Sequence, residues 1–168
     1  MSPPHNHLRL SLGLALLAVL TPWAAAQVKP GDLFPKLAGV GLLGKLPETE
    51  GRVVLVDFWA SWCAPCHASF PAYGRLQAKF SPRGLVILAV SVDESEGDYE
   101  AFVRKLAPSF SVVRDATQRL AAGVDVPGMP TSYLVDRNGR VRSVHEGFHS
   151  GVTEAELDRE IEALLAEK

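Results

Sequence analysis

The sequence predicts an α/β fold built on one central sheet, on three observations. Arg52 to Trp59 and Leu85 to Val90 are nearly continuous apolar runs of strand length, the pattern of strands covered on both faces. Between them, Ala64 to Phe80 carries helical apolar spacing through Phe70, Tyr73, Leu76 and Phe80. The three together read as a βαβ unit with parallel strands and a right-handed crossover. Near the end of the chain, Asp136-Arg137-Asn138-Gly139 separates Tyr133–Val135 from Val141–Val144 as a hairpin turn, and a last helix follows.

The 168 residues carry a formal charge of −2, which suits one soluble domain with a sizeable core and gives no basic surface for nucleic acid. At the start, His5, His7 and Arg9 precede an apolar run from Leu10 to Leu20 and then Ala24-Ala25-Ala26, a small-residue cleavage pattern. Residues 1–26 therefore read as a secretory signal and residues 27–168 as the domain; the alternative is an uncleaved N-terminal membrane anchor extending to Ala26. No Cys lies near the cleavage site, which excludes lipoprotein anchoring. Cleavage would remove one Arg and no acid, taking the charge from −2 to −3.

Each remaining element follows in order. Residues 27–51 are rich in Gly and Pro, with Leu37 to Leu43 as a short strand. Pro71 should kink the first helix, because it lacks the N–H that would bond to His67. Asp93 to Asp98 reads as a solvated acidic loop, and Tyr99 to Leu106 as a helix with Phe102, Val103 and Leu106 inward. Phe110 to Arg114 reads as a strand and Thr117 to Ala122 as a helix ending at Gly123. Pro130, unable to donate a ladder bond, stands directly before the strand Ser132 to Val135. Thr153 with Glu156 forms a capping box for the last helix, whose stripe is Leu157, Ile161, Leu164 and Leu165.

The chemistry concentrates in Trp62-Cys63-Ala64-Pro65-Cys66, which holds both cysteines of the chain. Residues at i and i+3 of a helix have Cβ atoms about 5–6 Å apart, and modest tightening reaches the roughly 4 Å of a disulfide. A structural disulfide is the plain reading of a Cys pair in an exported protein. The small loop argues against it, because the entropic benefit of a bridge grows with loop length. Cys63 falls where a strand hands over to a helix N-terminus, whose unpaired N–H groups and dipole favour a thiolate. A free thiol titrates near ~8.5, and such sites are lowered to about 7 or below. Pro65 fits the first helical turn. Cys63 is therefore expected to be exposed and nucleophilic, with Cys66 shielded and resolving.

Val56-Asp57-Phe58-Trp59-Ala60-Ser61-Trp62-Cys63-Ala64-Pro65-Cys66, with Met129-Pro130-Thr131 later, resembles thioredoxin-fold proteins, specifically the periplasmic TlpA/ResA/CcmG-like thiol-disulfide oxidoreductases. The resemblance runs from about residue 30 to the C-terminus. It implies a three-layer sandwich, a central mixed sheet flanked by helices, with an N-terminal β-hairpin and a helical insertion. It implies a redox disulfide between Cys63 and Cys66, with no other cofactor. Asp57, the one acid in an apolar strand, falls at the position of the buried acid that relays the proton of the resolving Cys; its plainer reading is a structural polar residue. The resemblance also implies a cis Met129–Pro130 bond facing the cysteines. That turn would leave Met129 backbone groups free to pair with an extended substrate segment. Trp62, Pro65, Met129 and Thr131 complete the docking set, and Trp62 is expected to cover the disulfide. The expected partners are cysteine-bearing protein substrates and a membrane thiol protein that donates electrons, with the chain itself monomeric. Cytochrome c maturation is a role at the level of the family. One departure stands out: the family often carries Glu three residues after the second Cys, and this chain has Ser69.

Three competing readings are weaker. Cys63-Ala64-Pro65-Cys66-His67 satisfies the c-type haem pattern C-x-x-C-H, but it follows a long buried strand in a chain not built of helices. His67 is then an exposed first-turn residue. A copper-binding thioredoxin-fold module would use both thiolates and His145 or His149, but such modules usually place one more residue between the cysteines. A peroxiredoxin would carry Thr and Pro three and seven residues before its Cys, where this chain has Ala60 and Val56.

Overall fold

The computed structural model describes residues 27–167; the expected signal or anchor at 1–26 lies outside the described residues. The elements are β1 (Val53–Trp59), α1 (Ala64–Phe80), a 3-10 turn at Ser81–Arg83, β2 (Leu85–Ser91), α2 (Glu96–Leu106), β3 (Ser111–Arg114), α3 (Arg119–Val124), β4 (Thr131–Val135), β5 (Val141–Glu146) and α4 (Val152–Ala166). They build a mixed sheet of order β3-β2-β1-β4-β5. β1 pairs in parallel with β2 and antiparallel with β4, β2 in parallel with β3, and β4 antiparallel with β5.

β1 lies at the centre, and every one of its residues is buried, Asp57 included. A strand covered on both faces has no solvent side on which to place polar residues. α1 and α4 pack together and α4 also meets β1, so Leu157, Ile161 and Leu164 of α4 are buried against the sheet. Along their outer edge run three ion pairs: Arg75–Glu154, Lys79–Asp158 and Arg83–Glu162. Steps of four residues on each side keep the pairs in one row. α1 runs through Pro71 as one element. α2 is held by Phe102 and Tyr99, whose rings lie 4.3 and 6.0 Å from that of Trp59.

The fold differs from the sequence reading in three places. Residues 27–51 form neither the β-hairpin nor the strand at Leu37–Leu43. Leu33 bridges Arg140 beside β5 and Leu43 bridges Arg114 on β3, so the segment spans both edges of the sheet. The turn that lets it do so is tight: a Cβ on Gly44, at φ +123°, would stand 3.2 Å from Val113 Cγ1. Edge strands left open invite pairing with other chains, and this strap covers part of both edges. α3 starts at Arg119 rather than Thr117, runs to Val124 and closes on Asp125 at φ 56° instead of ending at Gly123. Its N-terminus is capped by Asp115, whose carboxylate accepts from the N–H groups of Arg119, Leu120 and Ala121. α4 begins after Gly151 without a side-chain cap; Thr153 lies inside it and its hydroxyl accepts from His149 N–H, so the capping box does not form.

Candidate active site

The sheet register gathers the sequence candidates at one end. Phe58 pairs with Thr131, which brings Pro130 alongside the C-terminal end of β1, from which the chain continues to Cys63. Cys63 and Cys66 are joined as a disulfide, Cα atoms 5.3 Å apart. Cys63 is the N-cap of α1: its backbone is extended at φ −83°, and its Sγ accepts from Cys66 N–H at 3.3 Å. The sulfur thus occupies the place where an oxygen usually satisfies a free N–H of a helix start. Pro65 is exposed in the first turn, where its missing N–H costs nothing.

Cys63 is not exposed as expected. It is 4% accessible and Cys66 0%, so only the order of the two holds in this disulfide form. Trp62 is 73% exposed. It borders a hollow of about 460 Å³ with Ser61, His67, Asp98, Phe102 and Lys105. A separate hollow of about 330 Å³ lies at the opposite end of the sheet, between Phe34, Val54 and Arg137, away from the cysteines.

The turn before Cys63 is clamped on three atoms of Ser61. Its N–H and its hydroxyl donate to Asp93, at 3.0–3.1 and 2.8 Å. Its carbonyl accepts from His67 Nε2 at 3.1 Å, which places a proton on that nitrogen. Asp93 also accepts from Ser91 Oγ at 2.8 Å and is only 3% exposed, so it is a buried holder of the turn and not the solvated loop residue expected. His67 is likewise half-buried rather than exposed, its ring 4.7 Å from that of Phe102.

Asp57 is fully buried. Its cross-strand neighbour is Ser132, whose hydroxyl donates to Oδ1 at 2.9 Å, and Tyr73 from α1 donates to the same oxygen at 3.0 Å. Oδ2 has no hydrogen-bond partner among the described residues. Burial pushes the carboxyl up from an ordinary 3.8 to about 7, and the Ser132 and Tyr73 hydroxyls pull against that rise. Its shift is therefore a desolvation effect that two donors only partly offset.

The second loop places its residues unequally. The Met129–Pro130 bond is cis, Pro130 is buried, and its carbonyl accepts from Gly147 N–H at 2.7 Å. Met129 is half-buried, and neither its N–H nor its C=O enters a backbone hydrogen bond among the described residues. Thr131 is 1% exposed and spends its hydroxyl on Gly128 carbonyl, so its side chain faces inward and offers no docking group. His145 is engaged by Glu160 at 2.9 Å, between β5 and α4. Ser69 is fully buried and donates to Cys66 carbonyl at 3.1 Å.

Sequence reasoning missed Asp93, Tyr73 and Ser132. Tyr73 carried the one available signal, because a buried Tyr hydroxyl normally finds a partner.

A model of the AhpC/TSA family matches residues 38–144. The chain is 32% identical over 118 residues to the thiol-disulfide oxidoreductase ResA of Bacillus thuringiensis, covering 68% of each chain. It is 29% identical over 120 residues to the ResA of Geobacillus kaustophilus, covering 71% of this chain and 67% of that one. Among solved structures, a putative thiol:disulfide interchange protein DsbE from Chlorobium tepidum superposes with a TM-score of 0.77 at 38% identity, over 83% of this chain and 100% of the other. A putative protein disulfide isomerase from Bacteroides thetaiotaomicron superposes with a TM-score of 0.71 over 83% and 92% of the chains, at 21% identity, a likeness of fold alone.

Proposed function

The chain belongs to the AhpC/TSA family and is a thiol-disulfide oxidoreductase of thioredoxin fold; from that premise we propose that it is an exported reductase of protein disulfides. The observation that carries this reading is the Cys63–Cys66 pair at the start of α1, with Cys66 N–H directed at Cys63 Sγ. In the reduced protein that N–H and the helix dipole favour a thiolate on Cys63. No Lys or Arg stands within the C-x-x-C turn, and the His67 imidazole donates to Ser61 carbonyl. The thiolate is therefore only moderately stabilised. Strong stabilisation of the reduced form is what makes an oxidant, so this arrangement favours a reducing potential.

Cys63 thiolate attacks one sulfur of a substrate disulfide, and the other substrate sulfur leaves as a thiolate. Cys66 then gives its proton to Asp57 and attacks Cys63 Sγ, releasing the second substrate sulfur. Two electrons pass to the substrate, and the protein ends as the Cys63–Cys66 disulfide. No cofactor beyond the two sulfurs is needed. Pro130 shapes the edge on which the substrate lies, and the unpaired Met129 backbone groups pair with an extended cysteine-bearing segment. Exposed Trp62 and Pro65 border the same approach. Export rests on the Leu10–Leu20 run and Ala24-Ala25-Ala26, and a membrane dithiol protein would return the enzyme to its reduced form.

The test is the redox equilibrium of the protein in dithiol buffers, read by alkylation and mass. A potential near the −270 mV typical of thioredoxin supports the reductase, and one near −120 mV, roughly that of DsbA, makes it an oxidant.

A further inference from the structure

The two oxygens of Asp57 are not equivalent. Tyr73 Oη and Ser132 Oγ lie 3.0 and 2.9 Å from Oδ1 and 2.8 Å from each other. Two hydroxyl hydrogens serve three short contacts, so at least one reaches Oδ1 in every arrangement of the two rotors. Oδ2 receives none among the described residues. A proton on a carboxyl whose Oδ1 is already accepting belongs on Oδ2.

The surroundings of Asp57 hold little else that could act on it. Its register neighbours are Ala89 on β2 and Ser132 on β4, and from α1 it meets Tyr73. No charged side chain is among the causes of its shift, and Tyr73, raised well above its ordinary value by burial and the nearby carboxylate, stays neutral. On α1, Cys66, Ser69 and Tyr73 follow one another at spacings of three and four, all buried on one face. Ser69 donates to Cys66 carbonyl and its hydroxyl also bears on Tyr73. A row of buried hydroxyls thus leads from the turn of the resolving sulfur to Asp57.

We propose that Tyr73 and Ser132 are positioning residues, which assign the transferable proton to Asp57 Oδ2 and set the pH at which it moves. This rests on the reading of Asp57 as the proton acceptor for Cys66. In the resolving step the proton leaves Cys66 sulfur for Oδ2. The Cys66 electron pair forms the bond to Cys63 sulfur, and the pair of the breaking bond leaves on the substrate sulfur, which is protonated by solvent. Before the step the negative charge sits on a carboxylate whose Oδ1 the hydroxyls hold, and the incoming proton neutralises it. Removing either hydroxyl makes that carboxylate harder to form and delays proton transfer to higher pH.

The experiment is the pH dependence of single-turnover resolution, in which reduced protein reacts with a peptide carrying an intramolecular disulfide and acid-quenched mixed disulfide is followed by mass. The wild-type rate should rise with a midpoint at about 7. Tyr73→Phe and Ser132→Ala should each move that midpoint up by about one pH unit, the size of one hydrogen bond to a charged group. Ser132→Thr, which keeps the hydroxyl, should restore it. In an Asp57→Asn background neither change should shift the profile. Carbon-13 titration of the Asp57 carboxyl in the same folded variants separates the two ways to fail. Unmoved midpoints in Tyr73→Phe and Ser132→Ala, both by kinetics and by NMR, overturn the positioning role. An Asp57 titration that moves while Asp57→Asn leaves the kinetics unchanged overturns the acceptor reading on which the proposal stands.

Discussion

Two aspartates are buried at the same end of the sheet, Asp57 on β1 and Asp93 just past β2, and they are satisfied in opposite ways. Asp93 accepts on both oxygens: Ser61 N–H reaches both, Ser61 hydroxyl reaches Oδ1 and Ser91 hydroxyl reaches Oδ2. Among the described residues Asp57 is approached on Oδ1 alone, by two hydroxyls. Asp115, a third buried carboxylate, spends itself on three N–H groups of α3. Burial by itself therefore does not mark a proton carrier. Buried polar atoms are nearly always paired, and among these three carboxylates Asp57 has an oxygen without a partner among the described residues. Asp93 and Asp115 hold backbone in place, whereas burial raises the Asp57 carboxyl to about 7.

The sharpest break in this contrast would come from stability against pH. The folded pKa of Asp57 lies above its unfolded value, so folded protein binds the extra proton between about pH 4 and 7. Its contribution is fully present below pH ~4 and lost as pH rises through about 7. A gap of about three pH units corresponds to roughly 4 kcal/mol. Urea unfolding of the oxidised Asp57→Asn variant should therefore gain on wild type across that window, and parallel curves would remove the buried proton. Next in size, Asp57→Asn should slow mixed-disulfide resolution by about 100-fold at pH 7, within the range for general acid–base groups, as measured by rapid quench. Asp93→Ala should act on the fold instead: it strands Ser61 N–H and two hydroxyls and should cost about 2–4 kcal/mol in urea unfolding. If it left stability intact, Asp93 would not be the holder of the turn. The smallest effect serves as a control. Arg75→Gln removes one rung of the exposed α1–α4 row and should leave the melting temperature unresolved from wild type, since such pairs contribute little.

What the sequence made legible was local or strongly patterned. β1, β2 and α1 could be read because an apolar run and a helical stripe are properties of neighbouring residues, and Pro65 marks the start of α1. The hairpin at Asp136–Gly139 likewise states itself in its turn residues. The cysteines were visible by spacing, and Asp57 by being the one charge in an apolar strand. The missed features depend on distant partners. Leu33 and Leu43 find theirs at Arg140 and Arg114, far along the chain, so no local pattern could tell a strap from a hairpin. Asp93 sits in an acidic stretch that looks solvated, and only Ser61, 32 residues earlier, makes it a buried holder. Tyr73 fitted the core stripe of α1 on its ring alone, and its hydroxyl gained meaning only when β1 and β4 brought Asp57 and Ser132 to it.

The central claim, that Asp57 holds a proton near neutrality, is tested most directly by carbon-13 NMR titration of its carboxyl in the oxidised wild-type protein. The account predicts a single transition with its midpoint at about 7. A midpoint near the ordinary 3.8 would contradict it, and would leave Asp57 as another structural acid beside Asp93 and Asp115.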